Sequence, residues 1–366
     1  MIFPSALWVW FLLFAIAKLA SEVVTKTLAH HHAGAAEIPI ESDKVAAAAE
    51  GFRICRCRNT AIDRCKDSGY AALMESYPML HHGRPGPDYD ASFWQALHTL
   101  QDRIWPQMSA RIEAARKLGA HWEAETVPFA WVEEGRALAH VGVIAHPLRL
   151  LGEDRVVAGI HAVCVDPEAR GRGLGRRCME AALAWIDERF DLAKLSTAIP
   201  AFYGRWGFSV VPTHRFIAQR AGGGGPARPA ILADTARIRA LLSARTPTSN
   251  VYATRDPGWL PIIDLALQGR LPDGVLMVPE RDFLIVARQQ EDALHLDDVV
   301  GPELPALEEV LAAIPFRFER VIYGFTPDRL DPTARAEQVP LQEGVMQVRG
   351  AWPKLPPFAV STVWEH

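Results

Sequence analysis

A mixed α/β (α+β) fold is what this 366-residue sequence predicts: a mostly antiparallel sheet with helices, followed by a second, C-terminal domain of like order. Three observations predict it. Alternating apolar runs follow one another between 128 and 165; one of them meets an arginine- and glycine-rich turn and then a helical segment at 174–189; and a similar order returns after Gly222-Gly-Gly-Gly-Pro226.

The elements can be taken in order. Phe52-Arg-Ile-Cys-Arg-Cys57 alternates as a first strand, and 61–77 predicts a first helix, ended by Pro78. His81-His-Gly-Arg-Pro-Gly-Pro-Asp-Tyr89 is too rich in proline and glycine for regular structure and reads as a loop. Phe93, Trp94, Leu97, Leu100, Ile104 and Trp105 then mark one face of a helix, which 110–118 extends. Strands are predicted at 128–132, 138–150 and 156–165, with turns at Glu133-Glu-Gly135 and Gly152-Glu-Asp154. Met179, Ala182, Leu183 and Ile186 recur at helical spacing within 174–189. A strand at 192–197, a short helix at 201–206 and a last strand opening at Phe208 complete this part.

Residues 1–50 differ in character. Phe3 to Ala17 is an almost unbroken apolar run, shorter than the roughly twenty residues that span a bilayer, and no lysine or arginine precedes it as in a secretory signal. A membrane or interfacial anchor, a non-native extension and a cleaved signal are three open readings of it. His30-His-His32 and the alanine tract at 46–49 read as a connector, the histidines as linker rather than metal site.

The stretch Val163-Cys-Val-Asp-Pro-Glu-Ala-Arg-Gly-Arg-Gly-Leu-Gly-Arg176 carries the chemistry. Gly171, Gly173 and Gly175 remove side chains that would keep an anion from the main chain and permit positive φ. The amino end of the following helix, beginning near Leu174, would face the same anion, and Arg170, Arg172 and Arg176 add charge-assisted donors. It reads as a pyrophosphate cradle. The dinucleotide pattern Gly-x-Gly-x-x-Gly in a β-α-β unit with a later acidic residue is missing, as is the Gly-Lys-Ser/Thr of phosphate loops.

Read as Arg-x-x-Gly-x-Gly after Val-x-Val-x-Pro, residues 163–175 resemble the acyl-CoA loop of the GNAT family of N-acetyltransferases, and Phe202-Tyr-Gly-Arg-Trp-Gly-Phe208 resembles that family's second signature. The resemblance covers roughly residues 51–215 and implies a GNAT acyl-CoA-binding fold, an intracellular (cytoplasmic) enzyme and acetyl-CoA as co-substrate. By that resemblance the fourth strand splays from the fifth, the backbone of Val163, Cys164 and Val165 holds the pantetheine arm, and Arg170 to Arg176 hold the pyrophosphate. Tyr203 matches the tyrosine that faces the thioester sulfur in many GNAT enzymes, which makes it the candidate acid; its alternative is an aromatic packed between helix and sheet.

No base carries over. His161 stands two positions before Val163 and is expected on the same strand face, with a side chain suited to proton transfer near neutral pH; a core histidine is the competing reading, and Glu125 and His140 are weaker alternatives. The acceptor, a small amine or amino acid, is expected against the loop that concentrates Tyr77, His81, His82, Tyr89 and Trp94, which could equally be surface filler. A CoA-binding sensor without catalysis, or a transferase of another acyl group, would keep the same cradle.

Composition agrees with a globular enzyme: 49% apolar, 22% charged, and a net charge of −4 that leaves no footprint for nucleic acid. Cys55, Cys57 and Cys65 lack zinc-site spacing and read as reduced thiols, so no metal is expected. The predicted organisation is an apolar segment and linker at 1–50, a GNAT domain at 51–221, a Gly/Pro linker at 222–229 and a degenerate GNAT-like domain at 230–366. The second half predicts a helix at 234–243, strands near 274–278, 282–288 and 293–300, a helix at 303–313 and a strand at 317–325. Where a glycine loop would fall stands Gly301-Pro-Glu-Leu-Pro305, which offers pyrophosphate little. That domain is expected to close the acceptor pocket or to mediate homo-oligomer formation.

Overall fold

The computed structural model describes residues 79–81, 89–255, 260–340 and 345–361. The apolar run at 3–17, the strand at 52–57 and the helix at 61–77 lie outside the described residues, as do Tyr77 and His82.

The chain opens with β1 (Met79–His81), then helices α1 (Ala91–Ile104), α2 (Met108–Lys117) and α3 (Trp122–Glu125). Asp90 caps α1, its carboxylate accepting from the Phe93 N–H at 2.9 Å. Three strands follow as a meander: β2 (Val127–Glu133), β3 (Arg136–Leu150) and β4 (Glu153–Val165). Their turns fall at 134–135 and 151–152, with Gly135 and Gly152 at φ 73° and 83°. Helix α4 (Leu174–Asp187) leads to β5 (Leu192–Thr197), the short α5 (Pro200–Tyr203) and β6 (Ser209–Val211).

Next come β7 (His214–Ala218), β8 (Arg228–Pro229), α6 (Thr235–Ser243), β9 (Tyr252–Thr254) and α7 (Leu260–Leu267). The described chain ends with β10 (Val275–Met277), β11 (Leu284–Gln290), β12 (Ala293–Val300), α8 (Leu307–Ala313), β13 (Arg320–Tyr323), β14 (Arg335–Gln338) and β15 (Val345–Gly350). The motif-bearing elements fall where the sequence placed them. β1, α3, β7, β8, β9, α7, β14 and β15 are additional, most of them too short to show a period.

Two mixed sheets result. The first runs β1-β2-β3-β4-β5-β15-β6, with β9 on the far end of β3, and the second runs β14-β7-β13-β12-β11-β10-β8. Among the described residues each holds one parallel pair, β4 with β5 and β12 with β13, and each such pair is bridged by a helix. The chain crosses between the sheets. β7 precedes the predicted connector at 222–229 and pairs in the second sheet, whereas β15 follows it and lies between β5 and β6 in the first. Residues 222–227 are also tied down, the N–H groups of Gly222, Gly225 and Ala227 donating to the carbonyls of Phe318, Ile314 and Ala313.

Apolar faces lock these layers. α4 lays Leu174, Cys178, Met179, Ala182, Leu183 and Ile186 on Phe129, Val141, Ile160 and Leu195 of the first sheet. α1, α2, α6 and α7 share a core with β10 and β11, and α8 covers the other face of the second sheet. A smaller cluster joins Leu148, Leu150, Tyr252, Met346, Val348 and Phe358. Phe358 is 1% exposed and its carbonyl accepts from the His214 N–H at 2.7 Å. We expect Phe358→Ala to lower stability by about 3–5 kcal/mol, read as a lower urea midpoint of one transition, because it loosens a segment that crosses both sheets.

Candidate functional site

β4 is where the first sheet opens. It pairs with β3 from Glu153 to Val165, but with β5 only at Ala158 and Gly159. Beyond Gly159 the parallel pairing ends, and Ile160 to Val165 continue β4 with no partner in β5. The register with β3 shifts once here: Gly142 faces His161 and His140 faces Cys164, so Ala162 and Val163 together stand opposite Val141. Ala162 takes φ 48° at this bulge, a left-handed conformation that costs an alanine about 1–2 kcal/mol.

The bulge corrects one expectation. With an extra residue inserted, His161 and Val163 no longer share a face. Val163 and Val165 pack with the α4 core, whereas Cys164 packs with the core of α1 and α3, and the His161 ring meets Trp122 of α3.

At the end of β4 the chain turns through Asp166, a buried carboxylate that accepts from the Glu168 N–H at 2.9 Å and from Arg103 of α1 at 2.6 Å. Arg103 also reaches Glu168 at 2.9 Å, so α1 fixes the entry to the glycine turn. Asp166 and Arg103 were not singled out in the sequence; the signal for the first was the Asp-Pro pair at 166–167. Gly171 and Gly173 adopt φ 80° and 75° with open space where a side chain would stand, and Gly173 is the cap residue of α4. Gly175 serves packing instead: a Cβ there would lie 2.7 Å from Val165 Cγ2. The turn is exposed, and Arg170 makes no ion pair among the described residues, while Arg172 pairs with Glu133 at 2.5 Å and Arg176 with Glu180 at 2.6 Å. Open main chain at the positive end of a fourteen-residue helix, flanked by arginines, fits a phosphorylated ligand.

Tyr203 ends α5 in a cage of Phe202, Trp206 and Phe208, with ring centroids 5.0, 6.2 and 6.3 Å away. Burial first, and the neighbouring Cys164 second, push its phenol up to about 12. It is therefore protonated throughout the neutral range. The Cys164 and Cys178 thiols are buried and free, and burial pushes both up.

On the other face of β4 lies a buried histidine and tryptophan cluster. His161 Nε2 is 2.7 Å from Thr126 Oγ1, its ring seated where a Cβ on Gly142 would be. His140 Nδ1 lies 2.8 Å from the Ala162 carbonyl. Trp122 touches the rings of His98, His140 and His161. His98 bonds Glu123 at 2.9 Å and Gln101 at 3.2 Å. Desolvation would raise the Glu123 carboxyl, but His98, its own backbone N–H and Arg116 together hold it down at about 2. Only His161 and His140 of this group stood out in the sequence. Of the residues expected at the acceptor loop, His81 lies in β1 opposite Ala130, Tyr89 stacks on Phe93 at 4.3 Å, and Trp94 is buried against Trp122. Glu125 ends α3. Among the described residues no cluster could hold a metal ion, and no helix is long and apolar enough to cross a membrane.

Comparison with known proteins agrees with this geometry. Residues 94–208 match the model of the acetyltransferase (GNAT) family. The uncharacterised N-acetyltransferase YhbS of Escherichia coli K12 is 30% identical over 82 residues, 22% of this chain and 48% of that protein, so the chain spans about half the length of the curated relatives it matches. A conserved protein from Enterococcus faecalis V583, described as a probable N-acyltransferase, superposes with a TM-score of 0.50 at 14% identity over 75% of this chain and 72% of its own. Residues 94–208 thus match the GNAT family, and the second sheet repeats the mixed plan of the first, with one parallel pair bridged by a helix.

Burial holds the His140 imidazole down at about 4, with His98 a minor cause. An unfolded chain takes up that proton near pH 6.5. His140 therefore contributes stability above pH 6.5 that is lost as pH falls through 4, about 3 kcal/mol at most. Urea midpoints measured from pH 7 to 4 should fall accordingly, and His140→Asn should flatten that fall.

Proposed function

We propose that the chain is an N-acetyltransferase that uses acetyl-CoA as co-substrate and acylates a primary amine of a small molecule or amino acid. The observation that carries this reading is the end of β4, which β5 leaves unpaired beyond Gly159 and which leads into an open glycine turn at the head of α4. In this reading Val163, Cys164 and Val165 receive the pantetheine arm as an added strand would be received. The turn from Arg170 through Gly171, Arg172, Gly173, Leu174 and Gly175 to Arg176 takes the pyrophosphate, with Arg170 the least engaged donor. The Glu133 and Glu180 carboxylates, paired with Arg172 and Arg176, would share those arginines with the ligand.

The chemistry is direct attack within a ternary complex. The amine nitrogen forms a bond to the thioester carbonyl carbon, the carbon–sulfur bond breaks, and the amine's proton passes to a base. The departing thiolate takes a proton from the Tyr203 hydroxyl, which burial keeps protonated. Holding both reactants at contact distance supplies much of the acceleration. His161 is our candidate base, reached through the Thr126 side rather than from the face of Val163. Tyr77, His81, His82, Tyr89 and Trp94 are the candidate acceptor wall, with the 230–366 half closing it.

Calorimetric titration with acetyl-CoA, followed in the same cell by thiol release against a pool of amines, tests the reading. Binding with amine-dependent thiol release supports it; binding without release points to a CoA-binding sensor, and no binding by folded protein removes the cradle. Gly173→Glu should abolish binding, since it strains the turn and sets a carboxylate at the anion site. Tyr203→Phe should leave affinity intact and lower kcat by about 10²-fold; equal loss of binding in both variants would remove Tyr203 as the acid.

A further inference from the structure

We propose that His140 is a positioning residue for this site: its Nδ1–H, held on the Ala162 carbonyl, fixes the β4 bulge and with it the direction of the Val163 backbone. The inference rests on the reading that Val163 to Val165 receive the acyl-pantetheine arm.

The bond has one polarity. A carbonyl only accepts, so His140 Nδ1 carries the hydrogen across the 2.8 Å separation, and Nε2 of the neutral ring is a bare acceptor. That Nε2 is buried and has no partner among the described residues. A histidine that leaves one nitrogen unsatisfied in a wholly buried position does not serve two hydrogen bonds. It serves the one it makes.

What that bond holds is a residue that needs holding. Ala162 has φ 48°, a region L side chains rarely occupy, at the one register shift between β3 and β4. The peptide that follows is planar and trans, so its carbonyl and N–H point oppositely. Anchoring the Ala162 oxygen on His140 therefore turns the Val163 N–H away from His140. The ring itself is confined, with Trp122 at 6.1 Å and His161 at 6.5 Å between centroids, and His161 is in turn tied to Thr126. The clamp is part of a packed layer rather than a mobile side chain.

Two amide variants of the full chain separate the roles of the ring nitrogens. The Asn amide N–H can stand where Nδ1–H stands, whereas the longer Gln amide reaches toward the Nε2 position. Without ligand, hydrogen exchange at residues 162–164 should stay within about threefold of wild type in His140→Asn and quicken about tenfold or more in His140→Gln. With ligand, His140→Gln should lower kcat by about 10²-fold, because small displacements of the reacting group act on turnover. CoA affinity, set mainly at the glycine turn, should change by less than about threefold. His140→Asn should recover most of the rate.

Unchanged exchange and rate in His140→Gln overturn the clamp, as does a His140→Asn variant as impaired as His140→Gln at equal thermal stability. Should either variant fail to fold, native-state exchange of wild type at the Cys164 amide, which stands opposite His140 in β3, decides instead: protection well below that of the β3–β4 pairs at Ala158 and Ile160 overturns it. Wild-type protein that binds neither CoA nor acetyl-CoA overturns the acetyltransferase reading alone, since the exchange measurement reports the clamp without ligand.

Discussion

The site depends on one constraint: β4 must leave β5 while remaining paired to β3. Strands that pair along their whole length leave no main chain for a ligand, and strands that part without support expose polar groups that nothing satisfies. Here the parting is supported from three sides. The bulge at Ala162 and Val163 bends the strand, the Asp166 carboxylate ties its end to α1 through Arg103, and Gly175 lets α4 seat against Val165. Each support comes from a different element, which is why this unpaired end of β4 belongs to the whole first sheet.

The second sheet shows the same plan with a shorter unpaired stretch, residues 297–300 of β12 running beyond the β13 register. β12 and β13 pair in parallel over four residues, from Ala293 with Arg320 to Leu296 with Tyr323, where β4 and β5 manage two. The bridging α8 has seven residues and carries Glu308 and Glu309 in its first turn. Gly301, at the head of that connection, is tight against the Asp282 carbonyl, with 2.5 Å left for a Cβ. Closed backbone and negative charge replace the open turn and arginines of the first half. The repeated order thus ends in a tight connection in one half and an open glycine turn in the other.

Much of this was legible in the sequence because the informative features were local. Period-two runs fixed β2, β3 and β4, helical spacing fixed α1 and α4, and the glycines at 171, 173 and 175 marked the turn. What escaped was non-local or two-residue in scale. Nothing in Val345–Gly350 announces a place between β5 and β6, since that is decided by which edges remain unpaired when the chain arrives. The bulge was invisible because alanine at position 162 gives no hint of positive φ, and so the face of His161 was misjudged. Likewise His98, Trp122 and His140 come from separate elements and meet only in the folded layer.

The position of β15 has a consequence for how the protein is made. β5 and β6 are synthesised more than a hundred residues before the strand that joins them, and Gly350 closes its register with φ 94° tight against the Asp191 carbonyl. A nascent chain that has already emerged through β6 therefore carries two strand edges in want of a partner, as unfinished sheets do during translation. That sheet is completed only once β15 has emerged, and slow elongation through the second half would prolong the exposure of those edges.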